Sequence, residues 1–486
     1  MVGRQPPDPF VTTVGQRLAD LLQSVPATRL CVALSGGPDS VALLAALAAL
    51  PAPLPLRALH VNHHLQAQAD EWMRGCRRLA RSLGVPLSVR HVAVPVGRGL
   101  SPEAAAREAR RAAFLAALRP GEALLTAHHL DDQFETLLLM LMRGSGVHGL
   151  AAMPAAQRLG RGWLLRPLLD EPRAALAAFV ARRGLPHVLD ESNADERFDR
   201  NFLRRRVTPL LGSRWPGAAR AVARSARLLG EARGLLDELA EADLVALTGH
   251  AGAGAPRSLE LAALATLSSA RQRNALRAWL RGLGVRPPDE VHLERIRLEL
   301  PRARRDAQPV VRWPDGEVRR FRGRLYFLTP ASGRSRAHEA GGLWDGAPWD
   351  WSPWDWRRAR PYSLGPGRGA LRLVADPAGT ISRQALPARL QVRTRIPGAK
   401  VALRQGGARR TVKELLRAAG VLPWERDRLP VLCDGTQIVA VGDLFVAAPY
   451  LAAGPGRRGR LRLEWLEAPE LRGPGVAVGQ GRSGPD

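Results

Sequence analysis

The sequence predicts an α/β protein: an N-terminal parallel-sheet domain, a mainly helical middle domain with a small β meander, and a small α+β C-terminal domain. Three observations carry this. Short apolar runs at residues 29–34, 56–61, 87–94 and 123–127 alternate with helical stretches, the pattern of a parallel sheet covered on both faces. Polar clusters follow the first, second and fourth runs, where an open parallel sheet binds its ligand. After residue 300 helical spacing gives way to short strands divided by turn residues.

Taken in order, residues 15–22 have the apolar spacing of a short leading helix. The run from Cys31 to Leu34 then ends in Ser35-Gly36-Gly37-Pro38-Asp39-Ser40 and opens a helix near Val41. Paired glycines let a backbone turn tightly with its N–H groups inward, and the helix start adds unpaired donors and a partial positive charge. Such a loop holds phosphate. No Gly-Lys-Ser/Thr follows, so this is not a Walker A loop. The hexapeptide resembles the pyrophosphate loop of the N-type ATP pyrophosphatases, which split ATP between its α and β phosphates; a plain capped glycine turn is the bland reading.

The second run ends in His60-Val61-Asn62-His63-His64, and the fourth in His128-His129-Leu130-Asp131-Asp132. A helix starting near Asp131 puts Asp132, Glu135 and Thr136 on one face with His128 just ahead. Two carboxylates and an imidazole suit Mg²⁺ binding and the orientation of a reacting group. Acidic residues also favour a helix N-terminus for electrostatic reasons alone; sharing an edge with the glycine loop argues for the functional reading. Gly144-Ser145-Gly146 ends the helix.

Of the seven residues from Arg200 to Arg206, four are Arg, and guanidinium forks suit phosphate. Arg200 and Arg204, four apart and beside Asn201, are assigned to substrate phosphate, and Arg205 and Arg206 to a solvated helix face. Residues 216–247 are Ala/Leu/Arg-rich with helical spacing, 249–256 form a break, and 259–283 and 291–300 read as further helices. Residues 310–313, a Pro314-Asp315-Gly316 turn, 317–321 and 325–328 read as the meander. Between 331 and 369 lie five of the chain's 12 tryptophans, Trp344, Trp349, Trp351, Trp354 and Trp356. They are read as a linker whose rings pack on neighbouring domains, with base stacking beside Arg as the rival. A C-terminal module follows from about residue 371 with a helix at 411–419 and a β run at 431–446; residues after 471 are predicted to be a disordered tail.

The formal charge is +27, with lysine only at 400 and 413. Arginine excess on this scale suits a polyanionic partner, RNA or DNA, through counterion release, although composition bias also produces it. Cys31, Cys76 and Cys433 are too dispersed for a disulfide framework or a Cys-x-x-Cys metal site, and they read as reduced thiols of a cytosolic protein. The segment 1–10 lacks the apolar stretch of a signal peptide, and no apolar run approaches the ~20 residues of a membrane span.

Several stretches in order resemble one family. Thr126-Ala-His-His-Leu-Asp-Asp-Gln-Phe-Glu-Thr136, Arg143-Gly-Ser-Gly146 and Gly149-Leu-Ala-Ala-Met153 are similar to the second signature of the tRNA(Ile)-lysidine synthases. Val61-Asn62-His63, Ala106-Arg107-Glu-Ala-Arg110, Asp190-Glu-Ser-Asn193-Ala-Asp195 with Arg200-Asn201-Phe-Leu-Arg204, and Pro423-Trp424-Glu-Arg426 resemble further elements of it. The resemblance implies a Rossmann-like PP-loop catalytic domain over 1–215, a tRNA-contacting middle domain over 216–330, the linker over 331–370 and a tRNA-binding module over 371–470, with the tail at 471–486. It implies a cytoplasmic, ATP-dependent, AMP-forming ligase that attaches L-lysine to C2 of the wobble cytidine in tRNA(Ile) with a CAU anticodon; homodimer formation stays open. ATP is assigned to Ser35, Gly36, Gly37, Pro38, Asp39, Ser40, Arg107 and Arg110, catalysis to Asp132, Glu135, His128 and Arg204, and Mg²⁺ to Asp39 and Asp132. The alternatives are a PP-loop tRNA thiolase, a metal-dependent phosphohydrolase using His128, His129, Asp131 and Asp132, and a non-catalytic RNA-binding protein.

Overall fold

The structure is a computed structural model describing residues 8–51, 54–64, 66, 68–94, 102–189, 195–248, 258–304, 307, 309–329, 354–358, 360–364, 369–393, 396, 398–426, 429–452 and 459–466. Residues 190–194, Trp344, Trp349, Trp351 and the tail 471–486 lie outside the described residues. The chain divides into two compact units, 1–238 and 239–486.

In the first unit, α1 (Pro9–Ser24), capped by Asp8, leads into β1 (Arg29–Ala33), α2 (Pro38–Ala48), β2 (Leu56–Asn62), α3 (Ala69–Ser82), β3 (Leu87–His91) and α4 (Pro102–Ala117). There follow β4 (Glu122–Leu125), α5 (Leu130–Met142), α6 (Val147–Leu150), β5 (Ala156–Leu159), β6 (Gly162–Leu165) and α7 (Arg173–Arg182). The six strands form one sheet in the order β3-β2-β1-β4-β6-β5, parallel except for the edge strand β5. Strand alternation sorts the side chains between two cores. Leu30, Val32, Ala123 and Leu125 join the large core with Val14, Leu43, Leu44, Leu176 and Phe179. Cys31, Leu59 and Leu124 point the other way, where Phe114 and Ala117 of α4 cover them. On that second face Arg57 reaches across the sheet to Glu122 with two bonds of 2.6 Å.

The four runs read from the sequence are β1 to β4. Two short strands, β5 and β6, were not anticipated, and their pairing beside β4 extends the sheet. The order reverses between β1 and β4, so the switch point of the sheet lies between the glycine loop and the His128–Glu135 segment.

Beyond the sheet, α8 (Asp199–Phe202) passes through a π turn at Leu203–Val207 into α9 (Thr208–Arg214), and α10 (Ala218–Thr248) follows. In the second unit, β7 (Ser258–Glu260), α11 (Leu261–Thr266), α12 (Ser269–Gly282), α13 (Glu290–Arg302), β8 (Val310–Trp313), β9 (Gly316–Phe321) and β10 (Arg324–Leu328) form a helical layer on a four-stranded sheet. Ser258 to Glu260 pairs with β10 as an edge strand where helix was expected to begin one residue later. Thr411 caps the helix Val412–Ala418 of the C-terminal part, whose core contains Trp354 and Trp356 among its buried residues. Trp356 donates Nε1–H to the Pro387 carbonyl at 2.7 Å, so these two rings are core, not stacking platforms. Among the described residues no helix is long and apolar enough to cross a membrane.

Candidate active site

The loop after β1 is shaped by Gly36 and Ser40. Gly36 sits at φ +94°, and a Cβ there would meet Cys76 Sγ at 3.0 Å. The buried Ser40 hydroxyl folds back under the loop, accepting from the amides of Ser35 and Gly36 at 3.2 Å each and donating to the Gly37 carbonyl at 2.9 Å. The Gly37 amide donates to Ser35 Oγ at 3.3 Å. The Val41 amide makes the first intrahelical bond of α2, to the Gly37 carbonyl, and Pro38 has no N–H. The donors at the positive end of α2 without intrahelical acceptors are therefore the amides of Asp39 and Ser40. The amides of Ser35, Gly36 and Gly37 thus have acceptors within the loop and hold its shape.

One strand over, His129 caps α5. Its amide donates to Asp132 Oδ2 at 3.2 Å, and the Asp132 amide donates to its Nδ1 at 3.4 Å. Nε2 lies 3.6 Å from Asp39 Oδ2 and 3.5 Å from Asp132 Oδ2, so one buried imidazole joins the glycine-loop helix to α5. Burial pushes its pKa down, but Asp39, Asp132 and Asp131 outweigh that and raise it.

Asp132 and Glu135 face the arginines of the α8–π segment. Arg200 donates from Nε to Glu135 Oε2 at 2.9 Å and from Nη2 to Asp132 Oδ1 at 3.1 Å. Arg204 donates from Nε to Glu135 Oε1 at 2.7 Å, and from Nη2 to Glu135 Oε2 at 2.9 Å and Asp132 Oδ1 at 3.1 Å. Glu135 is 1% exposed. Burial opposes the charge on Asp132, yet His129, Arg200, His128 and Arg204 hold its carboxyl below the ordinary value. Arg200 and Arg204, assigned from the sequence to substrate phosphate, pair with the two carboxylates in a lattice of two carboxylates and two guanidiniums. Arg205 and Arg206 pair with Glu196 on an exposed face, as expected.

His128 turns to Thr126 Oγ1 at 2.9 Å. Burial, then Arg166, Arg200 and Arg107, outweigh Asp132 and lower its pKa to about 4, so it is neutral at pH 7. The imidazole lodged between the carboxylates is His129, which the sequence reading grouped only with the phosphohydrolase alternative. Its legible signal was the His-x-x-Asp spacing of a capping pair at a helix start. Arg107 and Arg110 are exposed on α4. At the end of β2, His60 donates from Nδ1 to the Leu34 carbonyl at 2.8 Å and Asn62 donates to Asp70 at 2.8 Å, so these two residues brace the end of β2 against the β1 end and against α3.

Family models match three segments: a PP-loop domain over residues 10–211, a TilS substrate binding domain over 259–326 and a TilS substrate C-terminal domain over 390–465. The tRNA(Ile)-lysidine synthase of Alkalilimnicola ehrlichii is 45% identical over 89% of this chain and 93% of its own. That of Pseudomonas aeruginosa is 44% identical over 92% and 95%, and that of Methylococcus capsulatus 39% over 89% and 95%.

The chain belongs to the tRNA(Ile)-lysidine synthase family.

Its first unit is accordingly an ATP-binding PP-loop domain. The thiolase alternative is not favoured, and the cysteines agree with the family. All three are buried, and burial raises the thiols of Cys31 to about 12 and of Cys76 and Cys433 to about 11, unsuited to a nucleophile. Among the described residues no group of three or more His, Cys, Asp or Glu side chains is placed to hold a metal. The donor set fits Mg²⁺ all the same. Asp39 Oδ2 and Asp132 Oδ2 approach the same imidazole nitrogen, and Mg²⁺ takes one or two carboxylates with substrate phosphates completing its shell.

Proposed function

We propose that this chain joins lysine to C2 of the wobble cytidine of tRNA(Ile) with a CAU anticodon, converting ATP to AMP and pyrophosphate, in the cytoplasm. In the first step cytidine O2 attacks the α-phosphorus and pyrophosphate leaves. In the second a lysine amine attacks C2, the C2–O2 bond breaks, and AMP carries O2 away.

The observation that carries this reading is the lattice of the buried carboxylates Asp132 and Glu135 with the half-buried Arg200 and Arg204, joined through His129 to Asp39 of the glycine loop. The Asp39 and Ser40 amides and the α2 dipole receive phosphate oxygens. Asp39 and Asp132 would hold Mg²⁺, which neutralises phosphate charge when bound. Asp132, kept ionised, attracts the lysine ammonium, and once the ammonium has lost its proton to solvent, neutral His128 offers the amine a ring nitrogen as hydrogen-bond acceptor. Arg107 and Arg110 of α4 meet the outer phosphates.

Incorporation of labelled lysine into a CAU-bearing tRNA(Ile) transcript, with ATP and Mg²⁺, tests this against a transcript with a changed wobble base. Label in the first alone is expected. Absence of label, with pyrophosphate released on another tRNA, would overturn it.

A further inference from the structure

We propose that Arg166 is a substrate ligand: its guanidinium holds an anionic oxygen, either a phosphoryl oxygen of ATP or the carboxylate of lysine. The inference rests on the lysine-ligating reading above.

Its place in the fold comes first. Strand β6 lies beside β4 with Leu165 opposite Leu125, and the Thr126 amide donates to the Leu165 carbonyl at 3.0 Å. Arg166 therefore begins a further loop at the carboxyl edge of the sheet, next to the strand that leads to His128. Ligands of open parallel sheets bind at that edge.

Its environment comes second. Arg166 is 7% exposed. Nη1 donates to the Pro154 carbonyl at 2.6 Å and to Gln157 Oε1 at 3.4 Å, both neutral acceptors. Its buried Nε has no hydrogen-bond partner, and among the described residues no carboxylate pairs with it. Burial, and after it the neighbouring cation Arg107, lowers its pKa to about 10 and leaves it charged at neutral pH. Burying an uncompensated guanidinium is costly.

The same sheet shows how a structural guanidinium is treated. Arg57 is also 7% exposed, but it holds Glu122 through two bonds and the Ala117 carbonyl through a third. Arg200 and Arg204 likewise have Asp132 and Glu135. Arg166 is the buried arginine at this edge whose counter-charge the described chain does not supply. ATP and lysine each bring an anionic oxygen to the edge, and a donor already aligned by Pro154 and Gln157 receives it without reorganisation.

The test uses the full chain with Arg166→Gln and Arg166→Lys. Steady-state lysine incorporation gives kcat/KM for ATP and for lysine separately, and thermal unfolding is followed with ATP alone, lysine alone and neither. Loss of a charge-assisted bond lowers kcat/KM for one substrate about 10- to 100-fold and leaves the other within about threefold, with partial recovery in Arg166→Lys. If the ligand is ATP, stabilisation of the fold by ATP is lost in Arg166→Gln. If it is the lysine carboxylate, ATP stabilisation survives, and the variant no longer prefers lysine to 1,5-diaminopentane, which lacks that carboxylate. Unchanged constants for both substrates overturn the proposal. So does an equal fall for both with a lower melting temperature in each variant, which would make Arg166 a clamp on Pro154. A wild-type chain that incorporates no lysine would defeat the lysidine reading instead, while Arg166 would still be judged by thermal unfolding with ATP alone and with lysine alone: loss of either stabilisation in Arg166→Gln supports its role, and survival of both overturns it.

Discussion

Replacing Glu135 by alanine removes the acidic anchor of two guanidiniums at once. The buried carboxylate accepts from Arg200 Nε at 2.9 Å and from Arg204 Nε and Nη2 at 2.7 and 2.9 Å. Removing one partner of a buried ion pair costs ~3–5 kcal/mol. Here the arginine side chains keep 30% and 23% of their exposure, and both still reach Asp132 Oδ1 at 3.1 Å. Solvent screening and that remaining partner reduce the loss to about 2–3 kcal/mol. For a unit of this size the melting temperature falls ~2–4 °C per kcal/mol, so a drop of about 4–12 °C is expected by circular dichroism. Glu135→Gln preserves shape and one acceptor, and should lose about half as much. In a double-mutant cycle Arg204→Met couples to Glu135→Ala by at least ~1 kcal/mol. Both Glu135 variants should lose lysine incorporation, because the freed arginines neutralise Asp132 differently. A Glu135→Ala protein that melts within about 1 °C of wild type, with no coupling to Arg204, would refute the lattice argument.

The two adjacent histidines set opposite pH dependences. His128 falls from 6.5 to about 4 on folding, so the unfolded chain binds the proton more readily in that window and stability drops as pH falls through it, by roughly 3 kcal/mol at most. His129 is raised, so its contribution is present below its unfolded pKa and is lost as pH rises through the folded one. Urea midpoints between pH 4 and 8 should show a flatter acid limb in His128→Asn and a smaller alkaline loss in His129→Asn; slopes equal to wild type would count against both assignments. Gly36→Ala forces a side chain into φ +94° and toward Cys76 Sγ, and should weaken ATP binding by about tenfold in calorimetry, corresponding to ~1–2 kcal/mol of strain. Unaltered affinity would mean the loop does not shape the nucleotide site. Cys31, Cys76 and Cys433 should resist iodoacetamide in the native protein at pH 8 and react fully in urea, as mass spectrometry would register; rapid native alkylation would contradict their burial.

The sequence by itself determined the features that a few consecutive residues control. An apolar run ending in paired glycines before a helix start reads as a strand, a tight turn and a helix N-terminus, and β1, Gly36 and α2 follow it closely. The alternation of runs and helical stretches decided the parallel sheet, and carboxylates at i and i+3 decided that Asp132 and Glu135 share a face of α5. Tertiary structure decided what depends on distant partners. Strands β5 and β6 span four residues each, too short to stand out from their flanks, and became strands by pairing with each other and with β4. Ser258 to Glu260 joined a sheet because β10 offered it an edge, and the core that receives the rings of Trp354 and Trp356, expected to pack on a neighbouring domain, is built from strands and a helix far along the chain. The choice of His129 over His128 as the bridge turned on which imidazole α5's first turn aims at Asp39. Arg200 and Arg204 meet Glu135 across 65 and 69 positions of chain. Local sequence fixes backbone preference over a turn or two, whereas a charge at such a separation finds its partner only once sheet order and helix packing have brought the two together.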